Sequence, residues 1–333
     1  MKKQNYYELV FIAISFIYHT PIQHLRTLKD NLQLISKSFR FNVDGLVSYF
    51  TTVTMLLTVL LVVNVGSNYQ IENVEAQSTN TSSFSELFEK GNSLGNLGKY
   101  EEAISWYDKA IEVDPKNVDA LYNKGVALAY LGRYEEAISW YDKAIEVDPK
   151  NVDALYNKGV ALDNLGRYQE AISWFDMALE VDPKDVSSLT NKGVALDSLG
   201  RYQESITWFD KALEVDPKHL NALYDKGVAL DNLGRYQEAI SWYDKALEVH
   251  SNDVDALNNK GTALHHLGRY EEAISWYDKA LEVDRNDVDA IYNKGLALSN
   301  LHKKQDALAL LDNALTIDPT NQRVLDLKSR LQE

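Results

Sequence analysis

The sequence predicts an all-α protein: an α-solenoid of seven two-helix repeats, preceded by one transmembrane helix. Three observations carry this. Gly91, Gly125, Gly159, Gly193, Gly227, Gly261 and Gly295 stand 34 residues apart. A second ladder, Ala103, Ala137, Ala171, Ser205, Ala239, Ala273 and Ala307, keeps the same step. Upstream of both, residues 45–69 carry no charge, and 46–65 supply 20 largely apolar residues. A fixed period held over seven units without insertion marks a stacked-repeat architecture.

Taken from the N-terminus, residues 1–45 read as a cytoplasmic segment. An early apolar run at 9–18 has only ten residues and stops at His19-Thr20-Pro21, short of a bilayer's width. Residues 46–65 are long enough to span. Arg26, Lys29, Lys37 and Arg40 precede that stretch, whereas Glu72 and Glu75 follow it. The positive-inside rule then places 19–44 in the cytoplasm and the repeats outside. Val74-Glu75-Ala76 has the small-residue pattern of a cleavage site, and cutting near Ala76 would release a secreted protein. Its distance from the apolar stretch, 11 residues beyond Val65, favours an uncleaved anchor. Residues 66–83 are polar and read as a flexible tether, with a glycosylation sequon at Asn80-Thr81-Ser82.

Each repeat, in a frame covering 84–321, reads as two helices. In the second unit Leu121, Gly125, Leu128 and Leu131 recur at spacings of three and four, predicting a helix over 119–131. Gly132 follows, where a helix end favours a residue tolerant of positive φ. Ala137, Ile138, Tyr141, Ala144, Ile145 and Val147 give a second helix over 135–147, which Asp148-Pro149 should end. The small residues Gly125, Ala137 and Ala144 allow close helix approach. One such pair cannot bury both its faces, so the units must stack. Beyond Asn321, the stripe Val324, Leu327 and Leu331 predicts a capping helix over 322–333 that covers the last repeat.

Ala137 with Tyr141 four residues on, then Ala144 and Pro149, with Gly125 on the first helix, resemble the tetratricopeptide repeat. The resemblance covers 84–321. It implies a right-handed superhelix whose first helices line a concave groove while the second helices lie outside. Departures exist. The family's early Trp is Leu or Ile here, its next Leu is Lys, and its Tyr is Leu. Ser251 and Arg285 stand where proline is expected, and His302 replaces a glycine.

Composition narrows the function. Of 34 basic and 49 acidic residues, only six and five fall in 1–83, so the repeats are strongly acidic. Such a surface repels phosphate backbones and disfavours nucleic acid as a partner. The absence of cysteine excludes disulfides, thiolate metal sites and cysteine nucleophiles. No phosphate loop, nucleophile elbow or zinc-helix motif occurs, so neither an enzyme nor a cofactor is expected. His250, His265, His266 and His302 cluster late in the chain, but neighbouring histidines on one helix do not share a face. Six tryptophans, from Trp106 to Trp276, hold one frame position and are read as inter-helix packing with a wetted edge. Lysines of the first helices (Lys90 to Lys294) match aspartates of the second (Asp108 to Asp312), read as internal pairs or solvated charges.

Binding is the remaining class. The resemblance would place Tyr122, Tyr156, Tyr224 and Tyr292 in the groove, with Asn123, Asn157, Asn191, Asn259 and Asn293 beside them. The next turn adds Asp163, Asp197, Asp231 and His265, the three aspartates being read as solvent-facing. Tyrosines offer rigid amphipathic area, and asparagine amides can fix a peptide backbone or simply satisfy neighbouring repeats. The family's carboxylate clamp needs Lys and Asn where Tyr122, Val126 and Asp119 stand, so that role is disfavoured. Asp119, Asp153, Asp255 and Asp289 add to an acidic groove with few basic neighbours, which favours a basic or polar extended protein segment. The expected function is thus an interaction scaffold outside the cytoplasm; the alternative is a self-associating structural spacer of the cell surface.

Overall fold

The computed structural model describes residues 83–333. Among them are fifteen helices and no strand. The first helices of the repeats are α1 (Phe84–Asn96), α3 (Val118–Tyr130), α5 (Val152–Asn164), α7 (Val186–Ser198), α9 (Leu220–Asn232), α11 (Val254–His266) and α13 (Val288–Asn300). Their partners are α2 (Tyr100–Val113), α4 (Tyr134–Val147), α6 (Tyr168–Val181), α8 (Tyr202–Val215), α10 (Tyr236–Val249), α12 (Tyr270–Val283) and α14 (Lys304–Ile317). α15 (Gln322–Gln332) follows. The expected cytoplasmic segment, transmembrane helix 46–65 and tether lie outside the described residues. Among the described residues no helix is long and apolar enough to cross a membrane.

Local chemistry fixes the N-termini of most first helices and the C-termini of both kinds. Ser83 opens α1 with a reciprocal capping box to Glu86. Asn117, Asn151, Asp185, Asp253, Asp287 and Asn321 cap later helices by accepting a backbone N–H in the first turn. At the other end of α3, Gly132 N–H donates to Ala129 O at 2.9 Å and Arg133 N–H to Leu128 O at 3.0 Å. These two bonds form a Schellman motif, and Gly132 takes the φ of +73° that it requires. In the last repeat His302 occupies the glycine's place at φ +59° and keeps both bonds. Loss of proline at Ser251 and Arg285 is equally silent. α10 and α12 stop at the same frame position as α4, each with an extended C-cap residue donating to an alanine carbonyl at 2.9 Å.

Within a repeat the two helices meet through the glycine ladder. A Cβ on Gly125 would lie 2.6 Å from the Tyr141 ring, so only glycine lets that ring pack across the first helix. Ala137, Ala144 and their counterparts are fully buried, as are Leu128 and Tyr141 almost completely. Gly295 is the relaxed case, because its partner is Leu311 rather than an aromatic ring.

Between repeats the lysine, aspartate and tryptophan ladders form one device. Lys124 on α3 is 8% exposed; its ammonium pairs with Asp108 of the preceding repeat and lies 3.7 Å over the Trp140 ring of its own. Lys158, Lys192, Lys226 and Lys260 repeat both contacts. The lysine charge is thus met by a carboxylate and by the ring's negative face, at about 0.5–2 kcal/mol for the latter. All three ladders therefore serve packing between helices, and the ion pairs cross the repeat boundary. α15 ends the stack: it buries Val324 and Leu327 against the last repeat, and Lys328 pairs with Asp312 at 2.6 Å.

Candidate functional site

Each first helix touches the next first helix, so their side chains at matching positions form columns on one face. Tyr122, Tyr156 and Tyr224 are half-buried there, each with its ring 6.0 Å from the aromatic of its own second helix, Tyr141, Phe175 and Tyr243. Their hydroxyls are held by the next repeat. Asn157 donates to Tyr122 at 2.9 Å, Asn191 to Tyr156 at 3.0 Å and Asn259 to Tyr224 at 2.8 Å. Every such pair spans 35 residues. Asn123 faces a phenylalanine at that offset and donates to Asn92 instead; Asn293 donates to Asn258. The asparagines thus bind neighbouring repeats through their nitrogens and present their amide oxygens.

Burial, then the charge of Asp153, pushes the Tyr122 hydroxyl up to about 12. Tyr156 rises for burial and Asp185, and Tyr224 for burial and Asp255. These phenols stay neutral and accept hydrogen bonds.

The structure corrects the reading of Asp163, Asp197 and Asp231 as solvent-facing. All three are half-buried, and one oxygen of each is shielded from solvent with no donor among the described residues. Burial raises all three carboxyls. Each is the next-to-last residue of its first helix, α5, α7 and α9. Asp119, Asp153 and Asp255 are exposed as expected. Asp289 departs from the pattern of few basic neighbours: Arg323 of α15 pairs with it at 2.8 Å and stacks 4.4 Å over Tyr292. At that end the acidic face is already answered by the chain itself. His265 meets Asn300 at 2.8 Å, and His266 stacks on Tyr236.

Two residues that sequence reasoning passed over interrupt the columns. Thr190 stands in the tyrosine column and Asp225 in the asparagine column. The signal was in the sequence: the tyrosine column also departs at Phe88 and Asn258, but only the Thr190 break is matched by a break in the asparagine column 35 residues on, the spacing at which a tyrosine meets its asparagine.

The tetratricopeptide repeat family model matches residues 88–151, 178–218, 190–253 and 224–290. Two further models of the same repeat match 152–185 and 264–331. No curated protein matches the sequence significantly. Among solved structures, a tetratricopeptide repeat protein from Parabacteroides merdae is 20% identical, with a TM-score of 0.60 over 75% of this chain and 99% of that one. The pilF protein of Pseudomonas aeruginosa is 18% identical, with a TM-score of 0.56 over 64% and 97%. At these identities the likeness concerns the fold alone. As a class these repeats serve protein–protein interaction and are generally not enzymes. On the agreement of the repeat models across the helices described above, the chain belongs to the tetratricopeptide repeat family.

Proposed function

We propose that the chain is a scaffold that holds an extended protein segment along the face of its first helices, outside the cytoplasm, with residues 46–65 as membrane anchor. The observation that carries this reading is the tyrosine–asparagine column. Tyr122, Tyr156 and Tyr224 are fixed by ring packing and by a hydroxyl bond from the next repeat before any ligand arrives. Contact area that is already ordered loses little side-chain entropy on binding.

The polar chemistry of the face gives the partner's character. The asparagine nitrogens are engaged, which leaves amide oxygens and aspartate carboxylates on offer. These are acceptors, so the face suits a donor-rich, basic or polar segment and disfavours an acidic tail.

A photoreactive residue in place of Tyr156, in native membranes, tests the reading against the same residue in place of exposed Ser139 on α4. Crosslinks to another protein from the Tyr156 site alone are expected. Equal capture from both faces, or crosslinks only to further copies of this chain, would overturn it; the latter result is the one a self-associating spacer gives.

A further inference from the structure

Among the described residues, the side-chain bond that ties one first helix to the next is missing at a single joint. Asn123 donates to Asn92, Asn157 to Tyr122, Asn191 to Tyr156, Asn259 to Tyr224 and Asn293 to Asn258. Between α7 and α9 the corresponding residues are Thr190 and Asp225. The Thr190 hydroxyl, on a residue 3% exposed, has no partner among the described residues, so this latch is absent. Ser188 of the same helix is completely buried and its hydroxyl is also unpartnered. Ala120, Ala154, Ala222, Ala256 and Ala290 hold that position elsewhere and have no side-chain polar atom to satisfy. Packing α7 into the stack therefore strips two hydroxyls of water and returns no hydrogen bond.

The second-helix side of the same joint is complete. Lys226 of α9 pairs with Asp210 of α8, and its ammonium lies 3.6 Å over the Trp242 ring of α10. Phe209, Leu230 and Tyr243 belong to one buried cluster, so the apolar core continues from repeat four into repeat five. One side of the joint is firmly held and the other is not.

We propose that the stack hinges at this joint: α7 and α9 part, the chain turns about the Lys226 clasp, and repeats one to four move as one arm against repeats five to seven. In a hinge a few residues absorb the rotation while packed blocks stay rigid. A repeat array permits this, since each unit is held by its neighbours alone and opens where those contacts are weakest. The hinge belongs to the free chain and stands whether or not the groove reading holds. In the groove reading, a segment lying on both arms sets the angle between them.

Spin labels on introduced cysteines test this, and the chain has no cysteine of its own. In full-length protein in mild detergent, one labelled pair replaces Ser85 and Ser187 and a second replaces Asp153 and Asp255, all of them exposed. Both pairs span three repeats, but only the second straddles the α7–α9 joint. The distances read by pulsed electron paramagnetic resonance should be broadly distributed for the second pair and narrowly for the first. Thr190→Tyr with Asp225→Asn supplies the residues of the neighbouring repeats, and should narrow the second pair to the width of the first. If that variant does not fold, the converse decides: Tyr122→Thr with Asn157→Asp moves the break to α3 and α5, and should broaden the first pair. Equal widths for the two pairs in the parent chain would overturn the hinge. So would a second pair left broad by the folded rebuilt variant, or a first pair left narrow by the converse one.

Discussion

Asn191 donates its side-chain amide to the Tyr156 hydroxyl, 3.0 Å away and one repeat upstream, while the same nitrogen also reaches the Ser187 carbonyl on its own helix. One side chain thus fixes a neighbour's ring and anchors itself. Asn191→Ala should leave the half-buried hydroxyl unmatched and cost about 1–2 kcal/mol. Tyr156→Phe in the same background should recover part of that loss. A double-mutant cycle by urea unfolding checks the coupling, and additive effects would mean that the bond contributes nothing.

Leu128 is 1% exposed between α3, α4 and the next repeat. Leu128→Ala should leave a cavity costing about 2–5 kcal/mol. Because solenoid units couple mainly to neighbours, the unfolding transition should broaden or split rather than shift as one. Calorimetry on the full-length protein checks this.

Asp225 gives a pH dependence whose sign follows from burial. Burial first, then the nearby Asp197 charge, raises its carboxyl from 3.8 to about 7. Between those values the folded chain keeps a proton that the unfolded chain has released. The stability this group contributes is therefore full below about pH 4 and lost as pH rises toward about 7. Asp225→Asn should stabilise the protein by about 1–3 kcal/mol at about pH 8 and hardly at about pH 4. Melting temperatures at the two pH values decide it; an equal effect at both would mean that Asp225 is freely ionised.

His302 adopts φ +59°, a left-handed conformation that the other repeats assign to glycine. His302→Gly should remove about 1 kcal/mol of backbone strain without altering the α13–α14 junction. Thermal unfolding of the variant is the measurement, with a rise in midpoint expected.

The topology expected from Arg26, Lys29, Lys37 and Arg40 is open to direct test. Protease added to intact cells should digest the repeats. Protection until the membrane is broken would reverse the orientation.

The period of 34 residues carried most of the fold. Gly132, Pro149 and the Leu121–Leu128 spacing set helix ends and faces locally, so α3 and α4 lie within a residue of their expected bounds. What could not be read was anything decided between repeats. Whether Lys124 meets Asp108 or water depends on a distance across two chain segments, and so does the choice of Asn157 for Tyr122. Asp163, Asp197 and Asp231 looked solvent-facing because helix periodicity says which side a residue is on, not how deeply the folded stack buries it. Thr190 and Asp225 were visible as departures, but their 35-residue separation became meaningful only once the bond register of the other repeats was known.

The lysine held between Asp108 and Trp140 has a consequence for how such a chain can change. The same joint recurs down the stack, and each half is supplied by a different repeat. Removing or duplicating one whole unit would bring together halves that already match. Length is therefore a quantity this protein can gain or lose in whole steps, with no joint redesigned. The boundaries bearing Phe88, Thr190 with Asp225, and Asn258 are not interchangeable with the rest, and a recombinant that lost one would keep its build and forfeit a landmark.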